Sequence, residues 1–128
     1  MRACKVLVVD DSLITVRKIS QILEDLGHTV TGYALNGIDA IEKYRELKPD
    51  LVTMDITLPD INGIQVVQNI LAFDKSALII MITSHGQEQM VIDSIDAGAK
   101  GYVMKPVKPD ILRDTIEQVL SNYGGSHD

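Results

Sequence analysis

Tryptophan is absent, phenylalanine and cysteine occur once each, and aromatic residues make up only 4% of the 128 residues. With Cys4 alone, no internal disulfide can form, and no Cys/His cluster has zinc-ligand spacing. The core must therefore hold by apolar packing, and a reducing compartment, the cytoplasm, is expected. No long hydrophobic run is present either. The run Lys5-Val6-Leu7-Val8-Val9, close behind Met1, is too short for a signal-peptide core and far too short to span a bilayer. Basic residues are in deficit: 12 Lys and Arg against 18 Asp and Glu leave a formal charge of −6. That balance argues against direct binding to nucleic acid or to an anionic membrane, both of which need clustered Lys and Arg. No Gly-x-x-x-x-Gly-Lys-Ser/Thr element occurs, which excludes a P-loop nucleotidase.

What is present is a 45% hydrophobic chain, enough for one ordinary domain over residues 1–122, followed by a Gly-Gly tail over 123–128 expected to be mobile. Apolar runs typical of buried strands recur at Lys5 to Asp10, Leu51 to Asp55, Leu78 to Thr83 and Gly101 to Met104. The segment from His28 to Tyr33 is more polar and reads as an exposed edge strand, with His28 solvated. Between these runs the apolar period turns helical. Ile14, Ile19, Ile22, Leu23 and Leu26 mark one face of a first helix closed by Gly27, and Leu112, Ile116, Val119 and Leu120 mark one face of a last helix. Asn36-Gly37 opens a second helix and Asn62-Gly63 a third. Ser84-His85-Gly86-Gln87 has capping-box spacing and is expected to open a fourth, ending near Gly98.

Fivefold alternation of strand and helix predicts an α/β fold, a doubly wound five-stranded parallel sheet of flavodoxin-like type. With the second strand at one edge beside the first, the order becomes 2-1-3-4-5. Ligands bind at the crevice where such a strand order reverses. Asp10 and Asp11 close the first strand, Asp55 the third and Thr83 the fourth, while Lys105 directly follows the fifth. In that order the four strands are contiguous, so these side chains converge.

Three carboxylates in one crevice repel by about 4 kcal/mol per pair at ~4 Å and an effective dielectric near 20, so a cation is needed. An all-oxygen donor set without His or Cys suits Mg²⁺, with Mn²⁺ as the alternative; the Thr57 backbone carbonyl, two residues past Asp55, is expected to join Asp10, Asp11 and Asp55 as a ligand. A carboxylate beside Mg²⁺, with an ammonium and a hydroxyl aimed at the same point, has the parts to form an acyl phosphate. Asp55 is the expected nucleophile, Lys105 the charge neutraliser and Thr83 the hydrogen-bond partner of the transferred group. Each residue also has a plain structural role available. Asp10-Asp11 with Ser12 could be a strand end and helix cap, and Lys105-Pro106 an ordinary strand exit.

The acidic pair in Val-Val-Asp-Asp-Ser, the segment Val-Thr-Met-Asp-Ile-Thr-Leu-Pro-Asp-Ile-Asn-Gly, the hydroxyl in Ile-Thr-Ser and the Lys-Pro after Gly-Tyr-Val-Met together resemble the receiver domains of two-component response regulators, in particular their stand-alone chemotaxis members. The resemblance spans about Lys5 to Leu120. It implies Asp55 as phosphoacceptor, Asp10 and Asp11 as the metal-binding pair, Thr83 as the switch hydroxyl and Tyr102 as the aromatic that changes rotamer with it. A histidine kinase is implied as phosphoryl donor, with transfer and later hydrolysis catalysed by the domain itself and no external substrate turned over. A downstream protein is expected at the helix 4–strand 5–helix 5 surface. His85, two residues past Thr83, either faces the phosphoryl group and modulates water attack or merely caps a helix.

Within this resemblance a receiver fragment of a longer regulator, with a DNA-binding or enzymatic output domain, and a phosphorelay intermediate remain as alternatives. Outside it, an FMN protein lacks its Ser/Thr/Gly-rich phosphate loop after the first strand. A haloacid-dehalogenase-type phosphatase lacks its second Asp, since position 57 is Thr.

Overall fold

The computed structural model describes residues 3–124. Its strands are β1 (Lys5–Val9), β2 (Thr29–Ala34), β3 (Leu51–Asp55), β4 (Ile79–Thr83) and β5 (Gly101–Met104). Its helices are α1 (Leu13–Asp25), α2 (Gly37–Leu47), α3 (Gly63–Phe73), α4 (Glu88–Ala97) and α5 (Pro109–Val119), followed by a π-helical turn over Leu120–Gly124. All paired strands run parallel in the order β2-β1-β3-β4-β5. This is the doubly wound, flavodoxin-like α/β fold expected from the sequence. Of the expected tail 123–128, Tyr123 and Gly124 belong to the π turn, where Lys100 Nζ lies 4.9 Å from the Tyr123 ring centroid. The remainder, including His127, lies outside the described residues.

Central strands are apolar on both faces because both are covered. Leu7, Val9, Val52, Met54, Ile79 and Met81 point into one core, shared with α2 and α3 through Ala40, Tyr44, Val66 and Ile70. Val6, Val8, Ile80 and Ile82 point into the other, shared with α1 and α5 through Ile19, Leu23, Leu112 and Ile116. Each fully buried Leu or Ile contributes about 1.5–3 kcal/mol by leaving water. Among the described residues no helix is long and apolar enough to cross a membrane.

Local chemistry sets where helices start. Ser12 Oγ accepts from Thr15 N (3.3 Å) at α1, and Asn36 Oδ1 accepts from Asp39 N (2.8 Å) at α2. A complete capping box, Asn62 with Gln65, opens α3. Gly63 is required here, since a Cβ would lie 2.4 Å from the Asp55 carbonyl oxygen. The expected box at Ser84–Gln87 is only half made: Ser84 N donates to Gln87 Oε1 at 2.6 Å, but α4 begins later, at Glu88. Gly86 is the reason, because its φ of +86° lies outside the helical region.

His28 departs from the expected solvated position: it is 4% exposed, and its Nδ1 accepts from Cys4 N at 3.0 Å. Accepting at Nδ1 requires the neutral ring, and burial lowers its pKa from the ordinary 6.5. The unfolded chain therefore takes up a proton first. The resulting stability is fully present above pH 6.5 and is lost as pH falls through the lower folded value. Acidification from neutral pH is expected to destabilise the wild type more than His28→Asn, read from urea midpoints across the pH range. Parallel curves for the two proteins would show that His28 titrates alike folded and unfolded.

Candidate functional site

The sheet delivers Asp10, Asp55, Thr83 and Lys105 to its carboxyl edge from four contiguous strands. Asp10 lies just past β1 and is fully buried; its N–H extends the ladder to the Ala34 carbonyl at 3.1 Å. Asp55 ends β3 at 6% exposure, and Thr83 ends β4 at 1%. Lys105 follows β5, with its backbone N–H donating to the Thr83 carbonyl at 2.6 Å. Asp11 is exposed at the rim. One carboxylate oxygen from each of Asp10, Asp11 and Asp55 falls within 4.8 Å of the others.

Lys105 Nζ lies 3.0 Å from Asp10 Oδ2 and 3.4 Å from Asp55 Oδ2. Asp10 Oδ1 accepts from Ser12 N (2.9 Å), but Oδ2, although buried, receives no well-directed hydrogen bond. Its contact with Lys105 is an ion pair with spare acceptor capacity. Asp55 is pushed up to about 6 from the ordinary 3.8, first by burial and then by the Asp10 charge; Lys105 and the Thr57 N–H, which donates to Asp55 Oδ1 at 3.3 Å, oppose the rise without cancelling it. Burial pulls the Lys105 ammonium down, and the Asp10 and Asp55 carboxylates outweigh this, leaving its pKa raised. One ammonium thus serves two of the three carboxylates, and Asp11 is left without it. The under-satisfied buried oxygen and the all-oxygen donor set both fit a hard divalent cation.

A family model for the response regulator receiver domain matches residues 6–117. The chain belongs to this family. It closely resembles CheY: the chemotaxis protein CheY of Thermotoga maritima is 44% identical over 115 residues, covering 90% of this chain and 96% of that protein. Bacillus subtilis CheY is also 44% identical, over 119 residues that cover 93% and 99% of the two chains. Among solved structures, the CheX–CheY–BeF₃–Mg²⁺ complex from Borrelia burgdorferi matches with a TM-score of 0.86 at 38% identity, covering 91% of this chain and 88% of that one.

In this receiver the remaining sequence-derived candidates divide. Tyr102, on β5, is 52% exposed and shares a groove of about 420 Å³ with Thr83, Val91, Ile92 and Ile95. His85 is exposed and lines a separate hollow beside Lys105, Pro106 and Lys108. It makes no cap at α4, whose first turn lacks any side-chain cap. The Thr57 hydroxyl faces Gln87, whose Nε2 donates to it at 2.9 Å.

Two residues at the site escaped the sequence reading. Asp60 accepts from the Gly37 and Ile38 amides (2.8 and 2.9 Å), tying the β3–α3 loop to the start of α2. Those hydrogen bonds, Ile38's foremost, hold its carboxyl below the ordinary range. Its only sequence signal was an acidic residue in a turn, with nothing to indicate a distant helix N-terminus. Gln87 was read as a helix-capping position; instead its Oε1 also accepts from Thr83 Oγ1 at 3.1 Å.

Proposed function

We propose that this receiver accepts a phosphoryl group on Asp55 from a histidine kinase in a Mg²⁺-dependent reaction and signals by phosphorylation-dependent protein binding. The observation that carries the reading is the meeting of three carboxylates and one shared ammonium at the strand-order reversal. Asp10, Asp11 and Asp55, with the Thr57 carbonyl, would hold the metal; Mn²⁺ suits the same oxygens. When bound, Mg²⁺ supplies charge neutralisation at the phosphoryl oxygens.

Asp55 forms the new P–O bond as the P–N bond to the donor histidine breaks, the departing imidazole retaining or gaining its proton from solvent. The Thr57 N–H orients Asp55 Oδ1, which leaves Oδ2 on the Lys105 side. Lys105 then shifts its charge to the added group, and the Thr83 hydroxyl donates to one phosphoryl oxygen. Hydrolysis by an in-line water reverses the state, and His85 is assigned to modulating that attack because its hollow adjoins Lys105.

The expected readout is the α4–β5–α5 surface. Thr83 and Tyr102 line one groove there, so withdrawal of the hydroxyl makes room for the ring to turn inward. The near-complete coverage of the CheY relatives supports a CheY-like mode of action through a partner protein. The Borrelia complex of CheY with CheX, BeF₃ and Mg²⁺ supports a protein target and the metal.

Intact-mass spectrometry after incubation with acetyl phosphate tests the reading. A labile phosphoryl adduct that forms with Mg²⁺ and not with EDTA is expected. An adduct formed equally well in EDTA would remove the metal requirement.

A further inference from the structure

We propose that Gln87 is a latch, a positioning residue that holds the switch hydroxyl and the β3–α3 loop in the unphosphorylated arrangement. The inference rests on the phosphoacceptor reading above and goes beyond it by naming what opposes the switch.

Gln87 uses both ends of its amide. Its Oε1 accepts from Thr83 Oγ1 (3.1 Å), the nearer of two acceptors around that hydroxyl, the other being the Ser84 carbonyl at 3.3 Å, and from Ser84 N (2.6 Å), while its Nε2 donates to Thr57 Oγ1 (2.9 Å). The amide orientation follows from chemistry: Ser84 N–H can only donate, so an oxygen must face it and the nitrogen is left for Thr57. The side chain therefore bridges the β4–α4 and β3–α3 loops at the mouth of the crevice. Gly86, at φ +86°, turns the chain so that Gln87 folds back over Thr83 instead of entering a helical turn. No side chain caps α4 in return, so this amide is committed to the latch.

Exclusion follows from the inventory of hydrogens. A threonine hydroxyl has one hydrogen to donate. A phosphoryl oxygen can only accept, so Thr83 cannot donate to it and to Gln87 Oε1 at once. The latch must open before the hydroxyl engages, and its hydrogen bonds count against the active arrangement. Thr57, whose backbone N–H also orients Asp55, is released in the same event.

The test is binding of Mg²⁺ with beryllofluoride, an acyl-phosphate mimic, measured by calorimetry on wild type, Gln87→Met, Gln87→Glu and Thr83→Ala. Methionine keeps the length and removes the hydrogen bonds. Gln87→Met is expected to bind about three- to tenfold tighter than wild type, the worth of about one lost competing hydrogen bond. Gln87→Glu keeps the acceptor for Thr83 and Ser84 and is expected not to tighten. In the Thr83→Ala background the gain from Gln87→Met should shrink to about twofold or less, because the coupled partner is gone. In the metal-free protein, hydrogen exchange at the Ser84 amide should accelerate in Gln87→Met, a readout independent of any ligand. Unchanged or weaker binding by Gln87→Met while wild type binds normally would overturn the latch alone, as would an equal gain with and without Thr83. Failure of wild type to bind the mimic would overturn the phosphoacceptor reading and the latch together.

Discussion

Asp55→Asn is expected to abolish the phosphoryl adduct and, in EDTA at neutral pH, to make the protein more stable than wild type by about 2 kcal/mol. The first effect follows because an amide oxygen is a poor nucleophile and leaves no acyl phosphate to form. The second follows from the acidic crevice. Folding raises the Asp55 carboxyl from 3.8 to about 6, through burial and the neighbouring Asp10 charge. Its contribution to stability is fully present below 3.8 and is lost as pH rises through about 6. At neutral pH the wild type carries the whole penalty, whereas the amide carries none. A shift of this size corresponds to about 3 kcal/mol at most, and loss of the Lys105 contact lowers the expected net gain. Urea unfolding of both proteins across pH measures it. The gap should close below 3.8, where the wild-type carboxyl is neutral in both states. A variant less stable than wild type at every pH would show that Asp55 is held by favourable contacts and carries no functional strain.

Lys105→Met should have the opposite sign. Lys105 Nζ is shared between Asp10 and Asp55, and Asp10 is fully buried with one oxygen lacking a directed hydrogen bond. Removing the ammonium leaves that carboxylate uncompensated. Breaking a buried ion pair costs about 3–5 kcal/mol, and partial exposure of the lysine reduces the expectation to about 2 kcal/mol in EDTA. Saturating Mg²⁺ should recover more than half of the loss, so the metal stabilises Lys105→Met more than it stabilises wild type. Adduct formation with acetyl phosphate should fall about a hundredfold even with Mg²⁺, the usual worth of a preorganised charge at a reacting centre. Equal Mg²⁺ stabilisation of both proteins would mean that ammonium and metal do not compensate the same carboxylates.

These two variants and the Gln87 latch describe one balance. The crevice is strained by charge, since three carboxylates meet there and the one ammonium reaches only Asp10 and Asp55. It is also held shut on one side by an amide that occupies the switch hydroxyl. Under the proposed function, a phosphoryl group on Asp55 would compete for Lys105 and Thr83 together, and its arrival would draw on relief of both constraints. The groove beside Tyr102 would then feel the change, because Thr83 forms part of its wall.

Much of this was legible in the sequence, for identifiable reasons. Runs such as Leu51–Asp55 and Ile79–Thr83 are apolar on both faces, which only a sheet covered on both sides rewards. Asn36, Asn62 and the glycines after α1 and α4 mark helix ends through interactions within a few residues. Strand alternation limited the topology to a doubly wound sheet, and the strand-end positions of Asp10, Asp55, Thr83 and Lys105 then located the crevice.

What the tertiary structure alone decided lies in contacts between residues far apart in the chain. His28 reads as the polar start of an edge strand, yet it is buried because the Cys4 amide, 24 residues earlier, needs an acceptor there. Asp60 finds its partners on α2, 22 and 23 residues earlier, and Gln87 reaches Thr57 across 30 residues. Hydrophobic periodicity and capping act over one or two turns and so determined the elements, their order and the residues at the crevice. Which polar group satisfies which depends on how finished elements pack, and only the folded chain settles it.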